Sequence, residues 1–124
     1  MVFTGGVSDA ELRALHHLAD VFVYPTAGDT LPLVVLEAMA SGTPVVSTEV
    51  GGIPFEVTPD AGVLVQPGDP AATATAVSAL LADPELRRRM GRAARDRVEQ
   101  IFRWSRSAKD AVDGYERTLA DAGR

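Results

Sequence analysis

Short apolar runs alternate with stretches of helical period along this chain. Val21-Phe22-Val23-Tyr24, stopped by Pro25, is β-branched and aromatic and predicts a buried strand. Pro44-Val45-Val46-Ser47 and Gly62-Val63-Leu64-Val65-Gln66 predict two more, and Val2-Phe3-Thr4 a brief extended piece. Ser8-Asp9-Ala10-Glu11 has the spacing of a capping box, with a hydroxyl at the cap and a carboxylate three residues on. Leu12, Leu15, Leu18 and Ala19 follow it on one predicted helical face. From Leu33 to Ser41 the chain is apolar almost all round except at Glu37, and Pro32 and Gly42 bracket it as start and stop signals. Gly51-Gly52-Ile53-Pro54 reads as a loop leading into one helical turn around Phe55 to Val57.

The remainder is helical by period. Asp69-Pro70 and Asp83-Pro84 each put an N-cap before a proline at the first helical position. Ala74, Val77 and Leu81 share a face of the first of these helices; Leu86, Met90, Ala94, Val98 and Ile101 share one on the second. Trp104, Ala108, Val112, Tyr115 and Leu119 line a third helix, as core or interface. Strands alternating with helices predict the α/β class: a Rossmann-like, partial doubly wound parallel sheet, helices on both faces and a helical C-terminal end. Three short strands are few for at least five helices, so the chain reads as part of a doubly wound domain.

Composition narrows the function classes. A length of 124 residues suits one domain, and 46% hydrophobic against 23% charged residues is the balance of a packed globular chain. Twelve basic against seventeen acidic side chains give a net charge of −5, which argues against nucleic acid as a partner. The absence of cysteine excludes a disulfide framework, a zinc–thiolate site and a cysteine nucleophile. No apolar run approaches the ~18 residues of a membrane span, and Met1 opens no signal peptide, so a cytoplasmic location is expected. Arg87-Arg88-Arg89 reads as a solvated helix face, His16-His17 as surface histidines without ligand-spaced neighbours. Ser41 and Ser47 lack the context of a nucleophile elbow.

The stretch Pro25 to Ser47 carries the chemistry, running strand, loop, helix, strand. In an open parallel sheet, ligands bind where strands end and helices begin. The first-turn amides of a helix at Leu33 and Val34 lack intrahelical partners and lie at its positive end, which favours a phosphate or diphosphate there. Asp29 in the loop and Glu37, eight residues later, suit hydroxyl groups on either side of that anion. An anion flanked by hydroxyl acceptors describes a nucleotide-sugar site. A turn-capping role for Asp29, and a solvated gap or buried salt bridge for Glu37, are the structural alternatives.

This segment resembles the E-x7-E region of family 4 (group 1) glycosyltransferases, which have the GT-B fold. The resemblance continues through LEAMASGTPVVSTEVGGIP, GVLVQPGDP, DPELRRRMG and the closing Phe102 and Trp104, and so covers essentially the whole chain. It implies that residues 1–124 form the C-terminal, donor-binding domain, without the N-terminal acceptor domain and the early βα units. It further implies retaining transfer of a hexosyl group from a UDP- or GDP-linked sugar to a glycan, lipid or small-molecule acceptor, usually without a metal or other cofactor. By the same resemblance, Asp29 contacts hydroxyls of the transferred sugar and Glu37 the ribose hydroxyls. The backbone amides of Leu33 and Val34 hold the diphosphate, with Thr30 beside them, and Val7 and Asp9 contact the base. Independently, the sequence has no Asp-x-Asp pair.

Three departures stand out. Asp29 is one methylene shorter than the commoner Glu, Pro32 removes an N–H from the loop, and no Arg or Lys lies between Ala14 and Leu86. The family's basic pair on the diphosphate belongs to the early units. Losing one preorganised donor to a leaving group costs on the order of 100-fold in rate, so the chain by itself is not expected to be a competent transferase. An unpaired strand edge templates association, and a homo-oligomer or a partner chain supplying the missing domain is expected. The alternative is a non-catalytic module that packs on a partner and binds nucleotide weakly or not at all.

Overall fold

The computed structural model describes residues 1–122. Among them, helices α1 (Asp9–Leu18), α2 (Leu33–Ala40), α3 (Ile53–Glu56), α4 (Pro70–Ala82), α5 (Pro84–Ile101) and α6 (Trp104–Ala122) alternate at first with strands β1 (Phe22–Tyr24), β2 (Val45–Thr48) and β3 (Gly62–Val65). The helix starts are set locally. Ser8 and Glu11 form a complete capping box on α1, the Asp69 carboxylate accepts from Ala72 N–H at 2.8 Å, and the Asp83 carboxylate from Leu86 N–H at 3.0 Å.

All strand pairs are parallel, with β2 between β1 and β3 and Phe22, Val45 and Gly62 in register. β2 is buried along its whole length because helices cover both faces. Val45 packs with Val35, Ala38 and Met39 of α2, Ile53 of α3 and Ala94 of α5. Val46 points the other way, onto Ala76 and Leu80 of α4. The predicted class and the layers on both faces are therefore present, and the interior of β2 separates two apolar clusters.

Four local readings are corrected. Val2-Phe3-Thr4 is exposed and joins no strand among the described residues. On α1 the packed face is Leu12, His16 and Ala19, while Leu15 and Leu18 face solvent. The His16 carbonyl accepts from buried Thr43 Oγ1 at 2.7 Å, and this rotates α1 so that an imidazole, not a leucine, points inward. On α4 the buried pair is Ala76 and Leu80, with Ala74 and Leu81 exposed, because that pair packs on Val46 and the valines around it. Arg87 is not merely solvated: its guanidinium donates to the Leu80 carbonyl at 2.8 Å and the Leu81 carbonyl at 2.6 Å, closing the α4 C-terminus. No side chain of α6 among the described residues is buried, and Trp104, Tyr115 and Leu119 stay exposed. No helix among the described residues is long and apolar enough to cross a membrane.

Candidate functional site

The loop between β1 and α2 is tied down by the ends of the strands. Ser47 Oγ donates to the Tyr24 carbonyl at 2.7 Å and Thr48 Oγ1 to the Thr26 carbonyl at 2.5 Å, so two buried hydroxyls at the end of β2 fix the chain leaving β1. Tyr24 O–H donates to Asp29 Oδ2 at 2.9 Å. Accepting that bond holds the Asp29 carboxylate in one direction, and the same bond pushes the Tyr24 phenol above its usual pKa. Below the loop lie Gly51 and Gly52. Gly52 N–H donates to the Thr30 carbonyl at 2.7 Å. Gly51 has φ +53°, and a Cβ there would stand 1.6 Å from the Asp29 carbonyl oxygen.

Helix α2 begins at Leu33 with Pro32 as its N-cap, no side chain capping it and no acidic residue in its first turn. Leu33 N–H and Val34 N–H belong to the orphan donors of that turn, at the positive end of the helix dipole. Nothing in the first turn competes with an anion there.

Glu37 lies one turn further on and its side chain is half exposed (52%). It stands on the ridge between two clefts. One, of 490 Å³, is lined by Asp9, Arg13, His16, His17 and Arg95 together with Glu37. The other, of 410 Å³ and more apolar, runs over Leu33, Leu36, Phe102 and Trp104. Among the described residues no arginine bridges to Glu37; the nearest ionisable partner is His16, with Nε2 4.0 Å from Glu37 Oε2. His16 is 6% exposed, which corrects the expectation that both histidines lie at the surface; His17 alone is exposed.

Glu56, which its sequence context did not single out, is a buried acid. It is fully buried, and neither carboxylate oxygen has a hydrogen-bond partner among the described residues. Arg97 Nε donates at 2.9 Å to its backbone carbonyl rather than to its side chain. Desolvation, and secondarily the charge of Asp29, raise the Glu56 pKa from 4.5 to about 7. Asp29 thus sits between a phenol that holds it and a buried acid that feels its charge.

The structure brings Asp9 and Glu37 together on one cleft, and Leu33 onto the neighbouring one. Asp29 and Thr30 lie outside both, in the loop against the glycine pair. Val7 is exposed in the segment before α1, and Val34 is partly buried on the first turn of α2. Three residues beside the candidate site were not singled out in the sequence as candidates: Tyr24, which bonds Asp29, His16, which faces Glu37, and Glu56, which feels the charge of Asp29.

Residues 1–97 match the family model of glycosyl transferases group 1. The chain belongs to that family. Similar proteins include a sulfoquinovosyl transferase of Arabidopsis thaliana, 45% identical over 103 residues, which make up 80% of this chain and 20% of that protein. A sucrose-phosphate synthase of Thermosynechococcus elongatus superposes with a TM-score of 0.88 at 37% identity, over 97% of this chain and 30% of that one. The C-terminal domain of a group 1 glycosyl transferase from Francisella tularensis shares the fold, with a TM-score of 0.71 at 24% identity over 84% of this chain and 53% of that one. The chain thus spans 20% of the sulfoquinovosyl transferase and 30% of the sucrose-phosphate synthase, and has the fold of a GT-B C-terminal domain.

Proposed function

We propose that this chain is the donor-binding portion of a retaining glycosyltransferase that moves a hexosyl group from a UDP- or GDP-linked sugar to an acceptor. The observation that carries the reading is the setting of Glu37. On a helix whose other residues are apolar, its carboxylate reaches open clefts instead of a salt bridge to arginine. A carboxylate half exposed beside an uncapped helix N-terminus suits two adjacent hydroxyls of a ribose whose diphosphate lies over Leu33 and Val34.

In this reading the two amides bind the diphosphate and stabilise the charge that develops as it leaves. Asp29, oriented by the Tyr24 hydroxyl, accepts from hydroxyls of the transferred sugar. Val7, before α1, and Asp9, at its start, border the base. Acceptor binding, and the positive charge that completes the diphosphate site, belong to a further portion of the protein or to a partner. A second reading, a non-catalytic assembly module, draws on the exposed Trp104, Tyr115 and Leu119 of α6.

Calorimetric titration with UDP and GDP separates the two. Saturable binding of at least one, weakened about tenfold or more by Glu37→Ala, is expected for a carboxylate that bonds two hydroxyls. Binding that ignores the substitution supports the assembly module.

A further inference from the structure

We propose that His16 is a positioning residue, holding the Glu37 carboxylate toward the 490 Å³ cleft through its Nε2–H; this rests on the nucleotide reading of Glu37. The imidazole is buried between α1 and the sheet, tilted against the Phe22 ring with centroids 5.4 Å apart. The backbone behind it is fixed by the bond from Thr43 Oγ1 to its carbonyl. Nε2 has no hydrogen-bond partner among the described residues, although no solvent reaches it. The acid in front of it is Glu37, whose Oε2 stands at 4.0 Å.

A buried polar atom without a partner is retained at a cost unless something answers it. Both the neutral Nε2–H tautomer and the imidazolium present a donor in this direction. The carboxylate is half exposed and free to turn among rotamers, so a fixed donor behind it selects one of them and reduces what must be ordered when hydroxyls arrive. The separation of 4.0 Å closes to hydrogen-bond length by a small rotation about the Glu37 side chain. Asp9, Arg13 and Arg95 line the same cleft. Of the groups around Glu37, His16 is the one that is both buried and unpartnered.

Two measurements on the full chain test this. Long-range proton–nitrogen correlation spectra of the unliganded protein are expected to find the His16 proton on Nε2; a bare Nε2 overturns the proposal. UDP and GDP titrations are expected to show about fivefold weaker binding for His16→Phe, which keeps the ring volume and removes the donor. His16→Gln, which returns an N–H near the Nε2 position, restores most of the affinity. In a Glu37→Gln background, His16→Phe is expected to cause no further loss. Losses that simply multiply in the double variant, or His16→Phe binding like the unaltered chain, overturn the proposal. An unchanged thermal midpoint separates these effects from misfolding, and should His16→Phe unfold, His16→Gln and the spectra decide. Failure of the unaltered chain to bind either nucleotide defeats the reading of Glu37 itself, while the spectra alone then judge the His16 geometry.

Discussion

Gly51→Ala is expected to lower the thermal midpoint by roughly 10 °C and to dislodge the Asp29 loop. Two effects add. At φ +53° an L side chain meets its own backbone, which costs about 1–2 kcal/mol. The new Cβ would also stand 1.6 Å from the Asp29 carbonyl oxygen, and that oxygen is backbone, so it cannot swing aside as a flexible side chain would. The loop must lift, breaking the Gly52 N–H bond to Thr30 and the Tyr24 bond to Asp29. Together these amount to about 3 kcal/mol, a large fraction of the stability of a domain this size. Gly28→Ala, in the same loop with open space around it, serves as the control and should shift the midpoint little. Equal midpoints for Gly51→Ala and Gly28→Ala would show that the glycine pair does not support the loop.

Glu56→Gln is expected to change how stability depends on pH. The folded chain holds the Glu56 proton up to about pH 7, whereas the exposed group of the unfolded chain releases it near 4.5. Between those values unfolding releases a proton, so rising pH favours the unfolded state. The contribution is fully present below pH 4.5, is lost as pH rises through about 7, and stays lost above. The shift corresponds to about 3 kcal/mol across that window. Glutamine keeps the shape and removes the titration. The difference in unfolding free energy between Glu56→Gln and the unaltered chain should therefore grow from pH 4.5 to about 7 and then level, by denaturant titration at each pH. Asp29→Asn should move the upper end of the window down, because it removes the secondary cause of the shift. A difference that is flat with pH would mean that Glu56 is already solvated or paired.

Most of the architecture was legible in the sequence because its signals are local. The boxes and prolines at Ser8, Asp69 and Asp83 mark helix starts, and each does so through bonds within its own first turn. The alternation of apolar runs with helical periods gave the parallel class, and the mixed faces of Val45 and Val46 match it. The spacing of Asp29 and Glu37 along one loop and helix made them candidates, and the structure sets Glu37 on the two clefts and Asp29 outside them. What was not legible depends on approach between distant segments. The burial of His16 follows from Thr43, twenty-seven residues away, gripping its carbonyl. Glu56 reads as a polar position beside an apolar one, yet Phe55 is exposed at 58% and Glu56 is not exposed at all. The reason lies on α5: Arg97 stacks over Phe55 and Phe102 and binds the α3 carbonyls, which turns the phenyl outward and the acid inward. The bond between Tyr24 and Asp29 likewise needs the loop to fold back on β1, which no periodicity encodes.

The account turns on where a nucleoside diphosphate sits. Amide shift mapping on the isotopically labelled chain, titrated with UDP and GDP, measures this residue by residue. The largest shifts are expected at Leu33 and Val34, with Glu37 and the Val7–Asp9 segment moving together at a common saturation. Shifts confined to α5 and α6, or none at the start of α2, would contradict it.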